Sequence, residues 1–161
     1  MKIVKEIIPY LVIIVIVLLI RTFIITPVQV DGSSMDPTLQ DNQILLLKKY
    51  QKNYKRFDIV VIDDGSERLI KRIIGLPGET IEVKDQKLYI NGKYIKEEFE
   101  HDETDDFTYE GKIPENHYFV MGDNRDDSLD SRVFGAFSKD QILGVTSFSL
   151  FPFQTFGSID S

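Results

Sequence analysis

The sequence predicts a mostly β protein, an antiparallel β domain preceded by one amino-terminal transmembrane helix. Three observations carry that reading. A 19-residue apolar stretch from Ile7 to Ile25 stands at one end of the chain. The remainder breaks into short apolar or alternating segments separated by Gly, Pro, Asn and Asp. An Asn91-Gly92 pair sits between two such segments, the position of a hairpin turn. With 161 residues, one domain can bury a core without disulfides, and the chain has no cysteine.

In chain order, the apolar stretch comes first. At about 1.5 Å per residue, a helix over residues 7–25 reaches roughly 30 Å, enough to cross a bilayer core. Pro9 falls in the first turn, where its missing N–H costs least, and Arg21 can snorkel toward an interface. Lys2 and Lys5 precede the stretch. The positive-inside bias therefore puts residues 1–6 in the cytoplasm and residues 26–161 across the cell membrane, in a single-pass arrangement. A removable secretory leader has the same order of charge and apolar core. No clear small-x-small cleavage pattern lies between Arg21 and Val30, however.

Val28-Gln29-Val30 alternates and reads as a strand running into a loop at Gly32. Ile44 to Leu47 and Phe57 to Ile62 are further strands, the latter closed by Asp63-Asp64-Gly65-Ser66. Arg68 to Ile74 follows, and in an extended chain Leu69, Lys71 and Ile73 share one face. Pro77-Gly78 marks a turn, Thr80 to Val83 a strand, and Lys87 to Ile90 pairs with Lys93 to Ile95 across the hairpin. Residues 97–110 hold eight carboxylates and read as an exposed excursion. Tyr118 to Val120, Val133 to Phe137 and Ile142 to Phe148 complete the framework. The aromatic segment Phe148 to Phe156 either packs into the core or forms an apolar rim facing the membrane.

The formal net charge is -7, and because residues 1–21 balance to +2, the rest of the chain stands at -9. Such an acidic domain is a poor match for a nucleic-acid backbone, so no nucleic-acid partner is expected. A phospholipid membrane remains a partner through the anchor. His101 and His117 stand apart from any nucleophile motif, and without cysteine they make no zinc set. Neither a metal nor a cofactor is expected.

The residues richest in chemistry are Gly32-Ser33-Ser34-Met35-Asp36-Pro37 and, 37 positions after Ser34, Lys71. A serine hydroxyl needs a base, and a lysine serves as one only when neutral. Apolar neighbours such as Leu69 and Ile73 favour the neutral amine by penalising the ammonium. Ser34 and Lys71 can thus form a dyad attacking a peptide carbonyl through an acyl-enzyme, with the Ser34 N–H as an oxyanion donor. Ser33 is a weaker donor, since adjacent side chains in an extended segment point apart. The same residues also fit a plain turn, with Ser33 and Ser34 capping a bend that ends at Asp36-Pro37.

Taken together, the anchor, Gly32 to Leu39, Phe57 to Val61, Lys71 to Gly78 and Gly122 to Gly135 resemble type I signal peptidase, peptidase family S26, in its short Gram-positive bacterial form. The resemblance implies an antiparallel β catalytic domain facing the outer membrane boundary. It implies a membrane-bound serine endopeptidase that removes signal peptides from exported preproteins, after small residues at -1 and -3. Secreted preproteins would be its partners. It makes Ser34 the nucleophile, Lys71 the general base and Ser128 the hydroxyl that orients the lysine. Asp130, Arg132 and Arg72 would support the site, and Met35, Val28, Val30, Leu69 and Ile70 would form the substrate pocket. Gly32 stands where some relatives carry a serine, which leaves the second oxyanion donor open. Two other readings remain at this point: a self-cleaving repressor-type Ser/Lys protease, and a noncatalytic membrane-anchored binding or assembly protein.

Overall fold

The computed structural model describes residues 2–159, with side chains from residue 6 onward. Lys2 and Lys5, whose charges set the expected orientation, fall outside the described side chains. The chain opens with α1 (Lys2–Phe23) and continues through β1 (Ile25–Gln29), β2 (Ile44–Lys48), β3 (Ile59–Asp63) and β4 (Arg68–Gly75). Next come β5 (Ile81–Lys84), β6 (Lys87–Ile90), β7 (Lys93–Ile95), β8 (Phe107–Thr108) and β9 (His117–Met121). A single helical turn, α2 (Ser131–Phe134), precedes β10 (Phe137–Ser138), β11 (Ile142–Phe151) and β12 (Gly157–Ser158).

Between Glu6 and Arg21 helix α1 is predominantly apolar, and none of its 18-residue span from Glu6 to Phe23 is buried in the protein. A helix that exposes so long an apolar surface needs an apolar solvent. The apolar stretch divides near its end, since the helix stops at Phe23 and Ile25 already pairs with Lys48.

The β-strands form two antiparallel sheets. The larger runs β1-β2-β11-β3-β4-β9-β10, with β12 on β11, and the smaller runs β7-β6-β5-β8. The Asn91-Gly92 turn closes the β6–β7 hairpin as expected, with both residues at positive φ. Three apolar clusters hold the domain together. One groups Val28, Val30, Met35, Leu39, Leu45 and Ile70, a second centres on Val60, Ile73 and Val120, and a third packs the small sheet against Phe119 and Met121.

Two local expectations are corrected and one open choice is narrowed. Val133 to Phe137 is not one strand but α2 followed by β10. Asp130 caps the turn through the Arg132 N–H, and Gly135, at φ 79, ends it. The acidic excursion is not simply exposed, because Phe107 pairs with Val83 and Thr104 is buried. Finally, the carboxyl-terminal aromatics are mostly not core. Phe151, Phe153 and Phe156 are 48%, 78% and 59% exposed, while Phe148 is half-buried against the edge of Phe156.

Candidate active site

A cleft of about 780 Å³ opens between the loop after β1, the start of β4 and the loop between β9 and α2. The first of these loops is tied down by its backbone. The Val30 N–H donates to the Gln43 carbonyl, the Gly32 N–H donates to Asp41 Oδ1, and Gly32 itself sits at φ 91. That left-handed conformation suits glycine and turns the chain back over the cleft. Met35 and Leu39, both buried, anchor the far side of the bend in the core.

Strand β4 brings Lys71 to the same place. Lys71 lies directly opposite Val60 on β3, with Leu69 and Ile73 two residues to either side on the same face. The side chain is 3% exposed, and its Nζ is 2.5 Å from Ser34 Oγ. Burial is the main influence on the amine and pushes its pKa below the ordinary lysine value. Asp130, Glu67 and Asp123 pull the other way, and the charge of Arg132 works with burial.

The loop after β9 closes the site from above. Asp130 is fully buried. Burial alone would raise its pKa, but the bonds from Arg132 and the Gly122 N–H, with the Ser128 hydroxyl, outweigh that and hold it low. Ser128 Oγ donates to Asp130 Oδ2 at 2.8 Å, and among the described residues it makes no hydrogen bond to Lys71. Asp123 and Arg72, both completely buried, form a two-point ion pair at 2.9 and 2.6 Å. Arg72 also donates to the Phe57 carbonyl and lies 3.9 Å from the centre of the Phe99 ring.

Most of the expected pocket residues meet at the cleft. Val30, Met35, Leu69 and Ile70 line it, whereas Val28 lies in the adjoining core cluster and does not. Ser33 turns away from the nucleophile, donating to Asp127 Oδ2 at 2.7 Å. The Ser34 N–H has no protein acceptor among the described residues. The Ser34 carbonyl, by contrast, accepts from the Asn124 N–H at 3.2 Å.

Sequence reasoning missed three contacts. Asn124 holds the Ser33 and Ser34 carbonyls and Asp127 accepts from the Ser33 hydroxyl, each from 90 or more positions away, and Phe99 reaches over Arg72 from the acidic excursion. Only the tertiary fold brings these together, and no local pattern announces them.

The chain matches the family model described as signal peptidase, peptidase S26, over residues 3–151. The chain belongs to this family. It is 44% identical over 156 residues to Signal peptidase I of Bacillus amyloliquefaciens, covering 88% of this chain and 84% of that protein. It is 45% identical over 158 residues to Signal peptidase I S of Bacillus subtilis, covering 88% and 85%. A crystal structure of a signal peptidase I from Enterococcus faecalis shares the fold at a TM-score of 0.53 and 39% identity, over 58% of this chain and 96% of that one. The S26 chain is therefore a type I signal peptidase of the Gram-positive form, a membrane-anchored serine endopeptidase. Membership decides against the repressor-type protease and the noncatalytic assembly protein.

Proposed function

We propose that this S26 enzyme cleaves exported preproteins with a Ser34/Lys71 dyad, through an acyl-enzyme, after small residues at -1 and -3. The single observation that carries the reading is the 2.5 Å approach of the Lys71 amine, buried and lowered in pKa, to Ser34 Oγ. In the neutral form Lys71 Nζ accepts the Ser34 hydroxyl proton as Oγ bonds to the scissile carbonyl carbon. The carbonyl oxygen takes the negative charge and accepts from the Ser34 N–H. The C–N bond then breaks, the Lys71 ammonium protonates the departing amine, and the signal peptide stays esterified to Ser34. Water, giving its proton to Lys71, attacks the ester. Ser34 Oγ leaves with that proton restored from the ammonium.

Asp130, held by Arg132 and Ser128, keeps the loop over Lys71 in place, and Ser128 supports the lysine through Asp130. The Arg72–Asp123 pair fixes β4 to the same loop. Val30, Met35, Leu69 and Ile70 form a shallow apolar wall that accepts only small side chains without displacement. The anchor runs from residue 7 to the helix end at Phe23, shorter than the 7–25 stretch by the residues that enter β1, with residues 1–6 in the cytoplasm and the chain from β1 onward outside. The full chain in detergent should convert a preprotein carrying an Ala-x-Ala site into mature product. Ser34→Ala and Lys71→Met should each abolish turnover, and undiminished cleavage by either variant overturns the dyad.

A further inference from the structure

A second pocket, about 430 Å³, lies where α1 passes into β1. Arg21, Lys49 and Arg68 line it, and no carboxylate residue does. In a domain whose charge beyond residue 21 is -9, three converging cations are out of keeping with their surroundings. Asp63, the cross-strand neighbour of Arg68, is engaged elsewhere, accepting from the Gly65 N–H at 3.0 Å. Among the described residues neither Arg21 nor Arg68 has a carboxylate within ion-pair distance.

The end of a helix ordinarily repels anions, because its last carbonyls carry partial negative charge. Here those carbonyls are occupied. Lys49 Nζ donates to the Thr22 carbonyl at 3.2 Å, and Thr26 Oγ1 donates to the Arg21 carbonyl at 3.2 Å. The two guanidinium groups are left over, and a planar fork of donors suits a phosphate. Leu47 and Leu143 give the pocket an apolar side as well.

We infer that this pocket binds the phosphodiester headgroup of an anionic phospholipid, with Arg21 and Arg68 on the phosphate and Leu47 and Leu143 beside the glycerol and first methylenes. The inference rests on α1 crossing the bilayer, which places the pocket at headgroup level where the helix leaves the membrane. Arg68 also lines the Ser34 cleft, so an occupied headgroup site fixes the first residue of the strand that carries Lys71.

The test uses the full chain in nanodiscs of phosphatidylcholine with a minor fraction of phosphatidylglycerol, counting lipids retained on the protein by native mass spectrometry. Phosphatidylglycerol should be retained preferentially, and Arg21→Gln and Arg68→Gln should each lower that preference about fivefold. Arg21→Lys, which keeps the charge, should restore most of it. Equal retention of both lipids, or unchanged preference in both Gln variants, overturns the proposal. Displacement by millimolar inorganic phosphate would make the site one for soluble anions and overturns the lipid assignment. Release of the chain from membranes by alkaline carbonate would overturn the anchor reading and this proposal with it. A chain that stays in the membrane but shows no preference overturns this proposal alone.

Discussion

The Asp130 carboxylate receives the Arg132 guanidinium at two points, 3.0 and 2.9 Å, beside the Lys71 amine. The two charges act on Lys71 in opposite directions, Asp130 favouring the ammonium and Arg132 the neutral base. Removing the arginine leaves the carboxylate uncompensated. Arg132→Met should therefore move the rise of kcat/KM with pH toward higher pH, with about a tenfold loss of activity near neutrality. A pH–rate profile of the variant checks both the direction and the partial recovery at alkaline pH.

Lys71 should also cost the fold stability. Its folded-state pKa lies below the unfolded value, so between the two the unfolded chain binds more protons, and stability rises with pH through that window. Below the folded value the penalty of burying the ammonium is complete. Lys71→Met should therefore raise Tm by about a few degrees near neutral pH, with the gain shrinking as pH climbs from the folded toward the unfolded lysine pKa and gone above the latter. Thermal melts of both proteins across that range give the comparison.

At position 122 a side chain has nowhere to go. A Cβ there would collide with Ser128 Oγ and with the Ser34 carbonyl. The backbone oxygen cannot yield without shifting the nucleophile, and a misplacement near 1 Å costs about a hundredfold in rate. Gly122→Ala should accordingly lose about that much kcat with a smaller change in KM. Steady-state kinetics beside a circular dichroism spectrum distinguish this from unfolding.

The Arg72–Asp123 pair has no exposure at all, so breaking it from one side strands a charge in the interior. Asp123→Ala should destabilise the domain by about 3–5 kcal/mol. Replacing both partners with apolar residues of similar volume should cost less than that single change. Denaturant midpoints for the single and double variants measure the difference.

The strands around the site were legible because their periodicity is local. β4 is extended as read, though buried on both faces from Ile70 to Gly75, and the apolar flank of Lys71 follows from residues two positions away on the same strand. α2 was not legible, because a four-residue turn has too little pattern to compete with the β-rich Val133 to Phe137, and its cap depends on Asp130 folding back. The core role of residues 97–110 was hidden for a related reason. Eight carboxylates look solvated until Glu97 is seen against Arg125 and Phe99 against Arg72.

By itself the sequence determined the antiparallel β domain, the apolar helix ahead of it, and the apolar flank of Lys71 on its strand. Each depends on residue spacing along a helix or strand, which the chain carries locally. The tertiary structure alone decided that Lys71 Nζ would meet Ser34 Oγ, that Ser128 would bond Asp130 instead of the lysine, and that Arg21, Lys49 and Arg68 would converge at the foot of the helix. Those relations join segments tens of residues apart, and only packing of the sheets brings such groups within the few ångströms over which hydrogen bonds and buried charges act.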